Sequence, residues 1–203
     1  EYEARTEDIT EDIESMETAA VGGIGIEFGK LLLEARISEG LKSDIRALDQ
    51  ASRNAADGIS MVQVGEGALD EVSNILLRMK ELAEQSLNGT LSDTDRTALD
   101  SEYTALTDEI DRISTSTEFN GIKLLDGSST TVAFQIGSGI SAADQLGVSL
   151  TAALRSDLGL ATAGIGALPG VSFAISAIDT AIDSVSSQRG RFGAAQTRLD
   201  HVI

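Results

Sequence analysis

Between Leu41 and Leu87 the chain contains no proline and places apolar residues at Leu41, Ile45, Leu48, Ala55, Ile59, Val62, Leu69, Val72, Leu76, Met79 and Leu82. Steps of three, four or seven put these side chains on one stripe of an α-helix, and a stripe of that period is the seam of a coiled coil. At 1.5 Å per residue a helix over residues 41–87 reaches about 70 Å, a length that a compact globule rarely needs. Gly58, Gly65 and Gly67 interrupt it, and each costs about 1 kcal/mol relative to Ala inside a helix. Their presence predicts either close approach by a neighbouring backbone or a kink.

The rest of the chain can be organised around that helix. Asn88-Gly89 reads as a left-handed C-cap, and Ser92 followed by Asp95 reads as the N-cap of a second helix. The second stripe is Leu99, Tyr103, Leu106, Ile110 and Ile113, closed by Asn120-Gly121. A short loop between the two predicts antiparallel neighbours. Ile122–Leu125 and Thr131–Ile136, joined by a turn around Asp126-Gly127, predict a small β-hairpin. Residues 137–170 are rich in Gly, Ala and Ser and hold the only proline, Pro169; they read as a loosely structured connector. From Val171 the stripe resumes as Ile175, Ile178, Ile182, Val185, Phe192, Leu199 and Val202 and runs to the chain end without a cap. The expected fold is mainly α, an elongated rod of long antiparallel helices forming a coiled-coil-like bundle with a small β-hairpin. Residues 37–203 form its domain, with N-terminal helices over 37–118, hairpin and connector over 119–170 and the C-terminal helix over 171–203. Residues 1–36 stand apart. The first 17 hold eight acids against Arg5, with Ile9, Ile13 and Met16 at helical spacing, and predict an acidic amphipathic helix.

Composition removes several classes of function. The formal charge is -18, from 33 acidic and 15 basic side chains, which repels phosphate backbones and anionic lipid heads, so neither nucleic acid nor a membrane is an expected partner. Aromatic residues make up 3% of the chain, poor material for a ligand pocket. No cysteine is present, so neither disulfides nor thiolate metal sites are available. No apolar run approaches the roughly 20 residues that span a bilayer. The start at Glu1 reads as that of a fragment or an engineered chain.

Catalytic groups are equally scarce. His201 is the only histidine and sits on a charged helix face near the end of the chain, with no nucleophile arranged beside it. The pairs Asp108/Asp111 and Glu81/Glu84 lie a turn apart on polar faces, with no apolar pocket around them. Gly23-Ile24-Gly25-Ile26-Glu27-Phe28-Gly29 has the wrong last spacing for a dinucleotide loop. An enzyme is not expected, nor is a metal or a cofactor.

Three stretches resemble the bacterial flagellins, in order and across roughly residues 37–203. The first is Ile37-Ser38-Glu39-Gly40-Leu41 through Gln50-Ala51-Ser52-Arg53-Asn54-Ala55-Ala56-Asp57-Gly58-Ile59-Ser60. The second is Arg78-Met79-Lys80-Glu81-Leu82-Ala83, Asn88-Gly89-Thr90, Glu109-Ile110-Asp111-Arg112-Ile113 and Glu118-Phe119-Asn120-Gly121-Ile122-Lys123-Leu124-Leu125. The third is Phe134-Gln135-Ile136-Gly137, then Ile178-Asp179, Ser187-Gln188-Arg189, Leu199 and Ile203. The resemblance implies a secreted structural subunit of the extracellular flagellar filament, packed side by side with copies of itself and serving motility. It also implies that the bare chain ends form an inner coiled coil, so a chain trimmed of them is expected to stay monomeric. Recognition by the innate immune receptor Toll-like receptor 5 is a further implication, through Arg78, Glu81 and Leu82 on the first helix and Glu102 on the second, with Leu77 where the family commonly has Gln. An export chaperone stays open as another partner. Two alternatives remain at this level: a binding module related to hook-junction proteins or chaperones, and an engineered immunogen or scaffold that carries residues 1–36.

Overall fold

The computed structural model describes residues 24–203, so the acidic helix expected over residues 1–17 lies outside the described residues. The chain divides into two compact units, Glu1–Gln50 and Ala51–Ile203. Helix α1 spans Ile24–Ser86 without a break. Its part in the first unit leaves Leu41, Ile45 and Leu48 on the surface at 58%, 58% and 54% exposure.

In the second unit the seven-residue repeat does the packing. Ala51, Ala55, Gly58, Val62, Gly65, Leu69, Val72, Leu76, Met79, Ala83 and Ser86 follow one another four and three residues apart, and all are buried. Helix α2, Asp93–Ser116, buries Arg96, Tyr103, Thr107, Ile110 and Ser114. Helix α3, Leu168–Asp200, buries Val171, Ala174, Ile178, Ala181, Val185, Gln188, Phe192 and Leu199, at steps of three, four or seven. The registers of α1 and α3 run in opposite directions. Asp70 pairs with Arg189 at 2.9 Å, whereas Lys80, further along α1, pairs with Asp179 at 2.7 Å, further back on α3. Gly58 and Gly65 are notches in this seam: a Cβ at Gly58 would stand 3.0 Å from Leu199 Cδ1, and one at Gly65 only 2.6 Å from Phe192 Cε2. Close approach, not a kink, accounts for these two glycines, while Gly67 faces open space. An 18-residue stretch of α3 is long and apolar enough to cross a bilayer, with mean hydropathy 1.2, but its apolar residues at Val171, Ile178 and Val185 line this seam.

Three elements differ from what the sequence predicts. The turn after α1 is not a left-handed cap, since Gly89 is absent from the residues with positive φ. Arg96 does that work instead: its guanidinium donates to the carbonyl of Ser86, the last residue of α1, which is one of the orphan acceptors of the helix end, and to those of Asn88 and Leu91 in the turn. The expected hairpin is also rearranged. Strands β1, Glu118–Phe119, and β2, Ile122–Lys123, pair around Asn120-Gly121, whose φ of 50° and 79° suit the tight mirror-image turn that joins twisted strands. Strand β3, Thr131–Gln135, pairs antiparallel with β4, Gln145–Ser149, inside the stretch read as a loose connector. That connector is ordered because its apolar residues reach the core: Leu146, Val148, Leu150, Ala153, Leu158, Leu160 and Ile165 are all buried. Finally, α3 begins at Leu168 and not at Val171. Pro169 falls in its first turn, where a missing N–H costs nothing. The N-cap expectation for α2 holds, with Ser92 and Asp95 forming a reciprocal capping box.

Candidate interaction surface

Two neighbouring rows of α1 decide which of its residues face outward. Positions 61, 68, 75 and 82 form a second heptad row beside the seam. Met61 and Leu82 are buried, and Ala68 and Ile75 are half-buried against the core. Arg78 lies outside that row, at the edge where α1 meets α2. Its Nε and Nη2 donate to Glu102 Oε1 at 3.0 and 2.8 Å, and its Nη1 donates to Glu81 Oε2 at 3.0 Å. Hydrogen bonding to Glu102 first, then to Glu81, holds the Arg78 guanidinium pKa above its ordinary value. Arg78 and Glu102 are about half exposed, at 49% and 46%, and Glu81 is 68% exposed. Water screens such pairs, so they add little to stability. Their effect is to fix where a planar, five-donor guanidinium points.

Of the four residues expected on this surface, Arg78, Glu81 and Glu102 are brought together and Leu82 is not. Leu82 has 0% exposure and supports the surface from the core. Leu77 stands at the surface, 50% exposed. A second charged cluster, which sequence reasoning missed, lies further along α2. Asp108 and Asp111 both pair with Arg155, at 2.9 and 3.0 Å, and Asp111 Oδ1 also accepts from the Arg155 backbone N–H at 2.8 Å. The signal could not be read locally, because Arg155 lies in the stretch that looked structureless. His201 is exposed just past α3. Among the described residues no group of three or more His, Asp or Glu side chains is placed to hold a metal. What this arrangement offers is a set of half-exposed charged and apolar side chains on rigid helices, the chemistry of protein contact.

Comparison with known proteins agrees with the helical arrangement. Residues 33–130 match the bacterial flagellin N-terminal helical region. The flagellin of Halalkalibacterium halodurans is 44% identical over 167 residues, covering 82% of this chain and 61% of that protein. The flagellin of Bacillus subtilis is 41% identical over 201 residues, covering 82% of this chain and 66% of that protein. The chain thus spans a little under two thirds of the length of these relatives. The crystal structure of Bacillus cereus flagellin superposes with a TM-score of 0.67 at 35% identity, over 74% of this chain and 86% of that one.

Proposed function

The chain belongs to the bacterial flagellins, and from that membership we propose that it is the structural subunit of a flagellar filament, a homopolymer that works outside the cell in motility. The observation that carries this reading is the exposed stripe of Leu41, Ile45 and Leu48 on α1. Apolar side chains one helical turn apart, left in water, are an assembly surface awaiting a partner. The test adds the protein, at the full length of its curated relatives, to flagellar seeds and views them by electron microscopy. The unaltered protein is expected to extend the seeds. The Leu41→Asp/Leu48→Asp variant, with its helix content checked by circular dichroism, is expected not to. Undiminished growth of the variant would reject the reading.

A second role rests on the Arg78 cluster. Arginine on a rigid helix face, held by two carboxylates and flanked by exposed Leu77, has the character of a binding hot spot. We propose that Arg78, Glu81 and Glu102 contact Toll-like receptor 5, with Leu82 setting the helix position from beneath. Affinity for the receptor ectodomain should fall about ten- to a hundredfold in Arg78→Ala, the range of a hot-spot truncation. Equal affinity of the two proteins would remove this surface from consideration.

A further inference from the structure

The turn between α1 and α2 contains Asn88-Gly89-Thr90, and its geometry brings together the parts of a one-step acyl transfer within the chain. Asn88 Oδ1 accepts from the Thr90 backbone N–H at 3.1 Å and from Thr90 Oγ1 at 3.0 Å. A carboxamide oxygen that reaches the nitrogen two residues on has folded back along the chain, toward the side on which the intervening Gly89 amide lies. Gly89 is exposed, nothing lies within 4 Å of where its Cβ would be, and among the described residues its N–H has no hydrogen-bond acceptor. Two donors already sit on the oxygen that becomes negative, and the neighbouring nitrogen is uncommitted and open to solvent base.

We propose that Asn88 is a site of spontaneous, structure-promoted deamidation. The Gly89 nitrogen gives up its proton to solvent base and attacks Asn88 Cγ. The N–C bond forms, and the negative charge that develops on Oδ1 is held by the Thr90 N–H and hydroxyl. Collapse breaks the Cγ–Nδ2 bond, and Nδ2 leaves as ammonia with a proton from water. Water then opens the five-membered imide at either carbonyl. One product is aspartate with the original backbone; the other is isoaspartate, in which the backbone runs through Cβ. Overall, amide and water become carboxylate and ammonium. The Arg96 guanidinium already holds the Asn88 backbone carbonyl at 3.3 Å; in the isoaspartyl form that carbonyl carbon becomes the free carboxylate, and the peptide bond to Gly89 runs through Cβ and Cγ instead. The turn that joins the first two helices of the second unit is thereby altered with age.

Asn120-Gly121 is the internal control. It has the same dipeptide but is clamped at φ of 50° and 79° in the β1–β2 turn, which must open before its carboxamide can reach the following nitrogen. The experiment incubates the whole chain in mildly alkaline buffer, native and in urea, and follows both sites by peptide mass mapping and by labelling with isoaspartyl methyltransferase. In urea the two sites should convert alike. In the native protein Asn88 should convert faster than Asn120 by at least about tenfold, the protection that local structure gives. Thr90→Val, verified as folded by circular dichroism, should slow Asn88 in the native state and leave it unchanged in urea. Equal native rates at the two sites would overturn the proposal, as would a native Asn88 rate indifferent to Thr90→Val.

Discussion

At the scale of single residues, the same substitution at two glycines of one helix is expected to have opposite signs. Gly65→Ala forces a methyl to within 2.6 Å of the Phe192 ring, and overpacking of a filled seam costs about 1–3 kcal/mol. Gly67→Ala meets nothing within 4 Å and keeps only the gain in helix propensity, about 1 kcal/mol. Urea denaturation of the two variants checks both signs together. The sequence showed that these glycines were unusual for a helix interior, but not which of them faced a neighbour, because that depends on the register of α3. Leu82 taught a related lesson. It stands seven residues beyond Ile75, which stands seven beyond Ala68, so its burial was written in the spacing once the second row was sought.

At the scale of elements, the long helices were legible because their repeat is built from many residues, and an error at one position does not shift the period. The strands were not. Two turn dipeptides, Asn120-Gly121 and Asp126-Gly127, compete within a few residues, and β4 offers only Leu146 and Val148 as apolar signal. What orders β4 is contact with residues distant in the chain. Arg96 was likewise invisible: an arginine in the first turn of a helix looks solvated, yet it is 4% exposed and binds three carbonyls of the preceding turn. Arg96→Ala should lower stability by about 2–3 kcal/mol, the cost of losing charge-assisted bonds to partly buried acceptors. Hydrogen exchange at residues 83–92 should rise ahead of the rest.

At the scale of the whole molecule, the pH dependence of stability follows from groups spread across it. Asp95, Asp126 and Asp144 accept hydrogen bonds from Ser92, Ser128 and Ser141, and Glu109 from Arg112; each pKa is held below its ordinary value. Carboxylates of this kind stabilise above their unfolded pKa, and the contribution fades as pH falls through the lowered folded value, in the region below about 4. At the other end, burial pushes the Tyr103 phenol up to about 12. A raised pKa protects the fold fully below the unfolded value near 10 and fails as pH climbs through the folded one. Thermal denaturation should therefore show a plateau between mild acid and about pH 9, with losses on both sides. In Tyr103→Phe the alkaline loss should begin at higher pH. The Tyr103 hydroxyl has no hydrogen-bond partner among the described residues, so the exchange should be close to neutral at pH 7.

The seam between α1 and α3 also dictates the order in which this chain can assemble. Gly58 receives Leu199, so the contact that closes the seam joins residues separated by most of the chain, whereas α1 and α2 meet across a turn of a few residues. Local pairing carries a small entropic cost of loop closure and distant pairing a larger one, so the helical hairpin should form first and the last helix should dock late, in a slower step. Until that step, the row from Ala55 to Met79 has no cover, and the nascent molecule is at its most adhesive when only its final stretch is missing.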